Sequence, residues 1–167
     1  VLDKPIVQYV IEEAVAAGVE EVLLITGRGK RAIEDHFDRS LELEVTLESS
    51  GNTVALPAIR QISELAEIFY VRQKNPRGLG HAVHCGAPFI RDEPFYVMLG
   101  DVIVPDKNIL TQLEAVHRVT GGSVIAVEEV PEEMVSRYGV IAGKQVPRSQ
   151  FGDDVTSDVW EVNNLVE

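Results

Sequence analysis

The run Val22-Leu23-Leu24-Ile25, which lies within residues 19–26 and is followed by Gly27-Arg28-Gly29, decides how this chain folds. It is a short, continuous stretch of apolar residues that favour β-structure, and a glycine break closes it. Such a stretch is typical of a strand that is buried on both faces of a parallel sheet. The sequence therefore predicts a strand over residues 19–26 within an α/β fold.

Helical patterns alternate with further apolar runs along the rest of the chain. Helices are predicted over residues 3–17, 30–37, 41–67 (as two helices with a break at Gly51-Asn52), 81–87 and 107–119. Strands are predicted over residues 68–72, 95–99 and 123–127, and shorter ones near 139–142 and 159–162. This alternation predicts a three-layer, Rossmann-like, mostly parallel sheet flanked by helices, in a single domain over residues 1–167. Because ligands bind at the carboxyl ends of such strands, the residues after each strand are the candidates for a site.

The composition excludes several classes of function. The 167 residues carry a formal net charge of −12, which would repel a nucleic-acid polymer but is compatible with a small phosphorylated ligand. No segment approaches the roughly 18 apolar residues that span a bilayer, so no membrane association is predicted. Cys85 is the only cysteine, which fits a cytoplasmic protein without an internal disulfide.

The loop after the first strand reads Gly27-Arg28-Gly29-Lys30-Arg31. Glycines before a helix can hold an anion, but the loop has neither the spacing of a Walker A loop nor that of a dinucleotide fingerprint. Two interpretations stay open: an anion-binding loop, or a turn followed by basic residues on a solvated helix face.

The turn after the second strand contains Gln73, Gly78 and Gly80. The Gln73 amide offers one acceptor oxygen and two donor hydrogens, which suit the edge of a uracil or thymine ring. Glycine lets the backbone approach a flat base because it has no Cβ. The alternative is an ordinary β–α turn, and we interpret His81 as a capping or packing residue rather than as a catalytic base.

Two further positions are candidates. Asp101 follows Gly100 directly after the third predicted strand, where a carboxylate is well placed to bind Mg²⁺; a turn or capping role is the alternative. Gly139 lies in a short predicted strand, where glycine marks a bulge or a close approach to another group. The four histidines show no metal-binding spacing, and one cysteine excludes a cysteine-based zinc site.

Taken together, these strings resemble the bacterial UTP–glucose-1-phosphate uridylyltransferases, a family of sugar nucleotidyltransferases. The resemblance covers almost the whole chain, and its most specific string is Ile25–Asp38. The other matching strings are Asp3-Lys4-Pro5, Gln8-Tyr9-Val10, Glu12-Glu13-Ala14, Val71-Arg72-Gln73, Gly78-Leu79-Gly80-His81-Ala82, Leu99-Gly100-Asp101, Val124–Pro131 and Tyr138-Gly139-Val140.

The resemblance implies a role for each matched position. Gln73 and Gly78 would recognise the uracil ring, and Asp101 would bind the Mg²⁺ that bridges the phosphates. Gly139 would lie against glucose 1-phosphate, and Glu167 would contact sugar hydroxyls. The implied reaction joins UTP and glucose 1-phosphate into UDP-glucose and pyrophosphate, and the full-length enzyme is expected to form a homo-oligomer.

Departures from the family pattern are also clear. The glycine-rich nucleotide loop of the family, its catalytic lysine and its first, central strand would precede Val1, and the Lys-Pro pair would follow Glu167. We therefore expect a chain that is incomplete at both ends and inactive alone. Two alternatives stay open: nucleotidyl transfer with another base, such as thymine, and a non-catalytic regulatory paralogue that binds nucleotide or a partner subunit.

Overall fold

A computed structural model describes residues 4–104 and 108–166. The chain divides into two compact units, and the boundary lies between Ile103 and Val104. The prediction of a single domain over residues 1–167 stays a prediction.

The first unit alternates helices and strands in the predicted order. Its elements are α1 (Ile6–Ala16), β1 (Glu21–Thr26), α2 (Arg31–Phe37), α3 (Leu41–Ser49), α4 (Ala55–Ser63), β2 (Glu67–Arg72) and α5 (Leu79–Cys85). The pattern of residues 41–67 forms two helices, as predicted, because Gly51 adopts a positive φ of 66° after α3.

Strands β1 and β2 pair in parallel, in a register that runs from Glu21 opposite Glu67 to Thr26 opposite Arg72. The backbone N–H of Gln73 donates to the carbonyl oxygen of Thr26 at 2.8 Å, which continues this ladder by one residue. The α/β class and the parallel pairing are therefore confirmed, and helices α2, α3 and α4 form the crossover between the two strands.

The core of the first unit is built on the apolar stripe of α1. Val10, Ile11 and Ala14 are buried, as their spacing predicts, and Ile11 is only 2% exposed. Phe37 at the end of α2 is buried as well. Burying a side chain the size of isoleucine stabilises a fold by about 1.5–3 kcal/mol, so this stripe fixes α1 in the unit.

A buried carboxylate links α3 to its surroundings. Glu44 accepts two hydrogen bonds from Arg39, at 2.9 and 2.8 Å, and a third from Nε of Arg60 on α4 at 2.9 Å. The hydrogen bond from Arg39, followed by that from Arg60, lowers the pKa of Glu44 to about 2. The pair of arginines therefore keeps this carboxylate ionised between two helices.

The second unit combines one helix with an antiparallel hairpin. Its elements are α6 (Ile109–Thr120), two short 3-10 helices (Glu132–Arg137 and Arg148–Gln150), β3 (Val140–Val146) and β4 (Val159–Val166). Helix α6 is followed by Gly121, which adopts a φ of 65° and whose N–H donates to the carbonyl of His117 at 2.7 Å. The hydrophobic core of the second unit contains Val116, Phe151 and Val155.

The predictions of strands over residues 95–99 and 123–127 are wrong for the part of the chain that the structure describes. Neither segment belongs to a strand ladder there, because a strand needs a backbone partner and only two pairs exist, β1 with β2 and β3 with β4. Residues 95–99 keep the alternation of a strand even so, since Phe95, Val97 and Leu99 are exposed and Tyr96 and Met98 are partly buried. The segment has the apolar pattern of a strand, but no neighbouring strand pairs with it in the described residues.

The bulge expected near Gly139 lies elsewhere. The register of β3 and β4 shifts between Ala142 and Gly143, whereas Gly139 precedes β3. A Cβ placed on Gly143 would lie 2.5 Å from the carbonyl oxygen of Glu161, so only glycine fits at the bulge.

Candidate functional site

The carboxyl ends of β1 and β2 lie side by side and carry the residues predicted to bind a ligand. Thr26 ends β1 and is buried, and Gln73 follows directly after β2. The Gln73 N–H donates a hydrogen bond to the Thr26 carbonyl. The loop after β1 and the turn after β2 therefore begin side by side at the carboxyl edge of the two strands. This is the edge at which parallel α/β sheets bind their ligands.

The turn after β2 brings Gln73 and Gly78 together. Nε2 of Gln73 lies 3.3 Å from the carbonyl oxygen of Gly78 and 2.8 Å from Nδ1 of His81. Gly78 has a φ of 88°, a conformation that favours glycine, and no atom lies within 4 Å of the position that a Cβ would take. The backbone at Gly78 is therefore open to a flat ligand.

Helix α5 holds this turn against the sheet. The N–H of Ala82 donates to the Gly78 carbonyl at 3.2 Å, which ties the start of α5 to the turn. At the other end of α5, a Cβ on Gly86 would lie 3.2 Å from Cδ2 of Leu23 in β1, so the helix packs closely on that strand. His81 is thus carried by a helix that is fixed on the sheet.

A cluster of exposed basic residues surrounds the same edge; we call it the basic rim. It holds six of the fifteen lysines and arginines of the chain, within residues 27–31 and 72–78, which contain no Asp or Glu: Arg28, Lys30, Arg31, Arg72, Lys74 and Arg77. Within the described ranges none of the six forms an ion pair; the four salt bridges use other cations. In a chain of net charge −12, this local positive field favours an anionic ligand.

Two side-chain contacts fix the helix that follows the loop after β1. The hydroxyl of Thr26 donates to Oε1 of Glu34 at 3.2 Å, and Nε2 of His36 lies 2.9 Å from Oε1 of Gln8 on α1. Gln8 is 6% exposed and also donates to Glu12 at 2.8 Å. Burial lowers the pKa of His36, so the neutral ring is favoured in this contact. The sequence did not reveal these contacts, because one joins residues eight positions apart across a loop and the other joins residues 28 positions apart.

Asp101 lies in an exposed turn, in which the N–H of Val102 donates to the carbonyl of Leu99 at 3.2 Å. The residue before it, Gly100, approaches α1, since a Cβ there would lie 3.8 Å from Cγ2 of Val7. Within residues 4–104 and 108–166, no group of three or more His, Cys, Asp or Glu side chains could hold a metal ion. One exposed carboxylate still fits Mg²⁺, which often takes one or two carboxylates and fills its shell with phosphate oxygens and water.

The predicted sugar-phosphate residues belong to the second unit. Gly139 precedes β3 at the end of the hairpin where Val140 pairs with Val166, and a Cβ on Gly139 would lie 3.8 Å from the Val166 carbonyl oxygen. The predicted contact of Glu167 with the sugar lies outside the described residues. The structure thus brings Gln73 and Gly78 into contact, whereas the joint action of these residues with Asp101, Gly139 and Glu167 stays a prediction.

The profile of the family described as nucleotidyl transferase matches residues 1–157. The chain belongs to the nucleotidyl transferase family. No helix in the described part of this family member is long and apolar enough to cross a membrane.

Similar proteins carry one activity in their names. The UTP–glucose-1-phosphate uridylyltransferase of Bacillus subtilis is 49% identical over 170 residues, which cover 100% of this chain and 54% of the relative. The UTP–glucose-1-phosphate uridylyltransferase 2 of Staphylococcus saprophyticus is 48% identical over 168 residues, with coverage of 100% and 55%. The chain thus spans about half the length of the curated relatives it matches, and the predicted resemblance is confirmed.

Solved structures agree with the sequence relatives. An apo UDP-glucose pyrophosphorylase matches with a TM-score of 0.81 and 39% identity, over 99% of this chain and 58% of that one. A UTP-bound UGPase from Acinetobacter baumannii matches with a TM-score of 0.84 and 35% identity, over 99% and 57%. The chain therefore has the fold of the nucleotide-diphospho-sugar transferases, as predicted.

Proposed function

We propose that this chain is the nucleotide-binding part of an enzyme that transfers a uridylyl group from UTP to glucose 1-phosphate. The observation that carries the proposal is the similarity over the full 167 residues to proteins named for this reaction, at 48–49% identity. The geometry supports it, because a glutamine amide and an open glycine backbone lie together at the carboxyl edge of the parallel strands. The basic rim adds a local positive charge that suits a triphosphate.

Each site residue has a role in this proposal. Gln73 and the Gly78 backbone recognise the uracil ring through its hydrogen-bonding edge and its flat face. Gly139 lies against glucose 1-phosphate, and Glu167 contacts the hydroxyls of the sugar. The sugar-phosphate oxygen attacks the α-phosphorus of UTP and pyrophosphate leaves, so the protein positions two substrates and needs no covalent intermediate.

Asp101 is the residue that would hold Mg²⁺. When bound, the ion neutralises charge on the phosphates, which Asp101 alone cannot do. We further propose that the full-length enzyme is cytoplasmic, because its proposed substrates are soluble phosphates and the single cysteine in these 167 residues fits a reducing compartment. A homo-oligomeric state of the full-length enzyme is proposed from the family resemblance alone.

Calorimetry tests the binding part of this proposal on the 167-residue chain. UTP is expected to bind more tightly with Mg²⁺ than without it, and Asp101→Asn is expected to abolish that difference. Asp92→Asn, which removes an exposed carboxylate outside the site, serves as the matched control. Equal Mg²⁺ dependence in the wild type and in Asp101→Asn would refute the metal-binding role.

Pyrophosphate release by the full-length protein tests the reaction. We expect release with UTP and glucose 1-phosphate together and none with either substrate alone. Equal rates with dTTP and UTP would contradict uridylyl specificity, and nucleotide binding without any turnover would favour a regulatory paralogue.

A further inference from the structure

His81 makes the shortest side-chain contact of the candidate base-binding turn. Its Nδ1 lies 2.8 Å from Nε2 of Gln73, and both side chains are partly buried. We propose that His81 is a positioning residue that holds the Gln73 amide with its oxygen available to the N3–H of a uracil or thymine base. This proposal rests on the proposed function, because it assigns a cause to the base selectivity of that same site.

The hydrogen-bond partners of Gln73 fix which way its amide is turned. The carbonyl oxygen of Gly78 can only accept, so the Gln73 atom 3.3 Å from it must be the NH₂ group. That same NH₂ group faces Nδ1 of His81, which must therefore accept a hydrogen bond and carry no hydrogen. The ring of His81 is consequently the neutral tautomer with its hydrogen on Nε2.

This arrangement leaves one acceptor for a ligand. The two hydrogens of Nε2 are directed to His81 and to the longer, weaker contact with Gly78. Oε1 of Gln73 has no hydrogen-bond partner in the part of the chain that the structure describes. N3 of uracil and thymine carries a hydrogen that it can donate to Oε1. N3 of cytosine is an acceptor, so two acceptors would face each other and repel.

Loss of the His81 acceptor would free the amide to turn over. In the reversed orientation the NH₂ group would face N3, which favours cytosine and disfavours uracil. The frame around the pair stays in place, since Gln73 is held by the Thr26 carbonyl and α5 packs on β1. His81 therefore affects the choice of base more than the fold of the turn.

Three substitutions separate this role from a purely structural one. His81→Asn keeps an acceptor oxygen at the same number of bonds from Cβ as Nδ1, whereas His81→Gln places its oxygen at the position of Nε2. His81→Leu removes the acceptor altogether. The Asn and Gln variants differ mainly in where the acceptor oxygen lies. Only a role of Nδ1 therefore predicts that the preference for uridine is kept in His81→Asn and reduced in His81→Gln.

The experiment has two readouts on the 167-residue chain. Nitrogen-15 NMR of the free chain is expected to show His81 protonated at Nε2 and not at Nδ1. Calorimetry with uridine and cytidine, which lack phosphates, is expected to show a preference for uridine in the wild type and in His81→Asn. The preference should fall about three- to tenfold in His81→Gln and His81→Leu, the range for one neutral hydrogen bond.

The outcomes separate the two proposals. A hydrogen on Nδ1, or an undiminished preference for uridine in His81→Leu, would overturn the role of His81 while the proposed function stands. If the wild-type chain binds neither nucleoside, the base-binding role of Gln73 and Gly78 is refuted together with the role of His81, whereas uridylyl transfer is decided by pyrophosphate release from the full-length protein. A circular dichroism spectrum equal to that of the wild type shows that each variant is folded.

Discussion

Gly143→Ala is expected to destabilise the second unit by a steric clash at the bulge of the hairpin. The added Cβ would lie 2.5 Å from the carbonyl oxygen of Glu161, 3.2 Å from its carbonyl carbon and 3.4 Å from Cα of Val162. All three atoms belong to the backbone of β4, so no side chain can move aside, and the two strands must separate locally. Forcing a methyl group into such a contact costs about 1–3 kcal/mol.

Thermal unfolding measures this cost. For a chain of this size, about 1 kcal/mol corresponds to roughly 2–4 °C in Tm, so we expect Tm to fall by about 2–12 °C. Hydrogen exchange should quicken first in β3 and β4, because the clash lies between them. Gly139 directly precedes β3, so the same exchange rates also show whether the backbone next to this predicted sugar-phosphate residue depends on the bulge.

Gly122→Ala is the matched control in the same unit. Its Cβ would meet only Oγ1 of Thr120, at 3.9 Å, and Gly122 does not have a positive φ. We expect its free energy of unfolding to change by less than about 0.5 kcal/mol. Equal Tm values and equal exchange rates for the two variants would refute the steric argument.

Two further predictions concern charge. Because the pKa of Glu44 is lowered from 4.5 to about 2, its contribution to stability is complete above pH 4.5 and is lost as the pH falls towards 2. The free energy of unfolding, measured with urea at a series of pH values, should fall less on acidification in Glu44→Gln than in the wild type. Glu42→Gln on the same helix should behave like the wild type. Identical curves for Glu44→Gln and the wild type would contradict this prediction. In the basic rim, R28Q/K30Q should weaken UTP binding about two- to thirtyfold at low salt, since each of the two exposed charges contributes about 0.2–1 kcal/mol. The weakening should be much smaller at 1 M salt, where the Debye length is about 3 Å. R91Q/K144Q removes the same number of charges outside the rim, and its affinity for UTP in calorimetry should match that of the wild type. If both double variants weaken UTP binding equally, net charge alone explains the effect.

Much of the local structure could be predicted from the sequence. The strand β1 and the helix α1 are confirmed, because a continuous apolar run closed by glycine predicts a strand and a 3.6-residue apolar period predicts a buried helix face, and both signals are local. The glycines between Gln73 and Gly80 predict a turn there because glycine acts on the local backbone, whereas the role of this turn in binding a base stays a prediction. The segment 95–99 was misassigned as a strand because its alternation is local but its pairing is not.

The sequence by itself determined the α/β class and the order of the elements in the first unit, and it predicts which residues suit a base and a metal ion. The tertiary structure decided which of these groups meet. It brought the Gln73 N–H into a hydrogen bond with the Thr26 carbonyl and the ring of His81 into contact with the Gln73 amide. It also put the bulge at Gly143 rather than near Gly139. Propensity and periodicity act over a few residues, whereas strand register and side-chain hydrogen bonds depend on segments that only folding brings together.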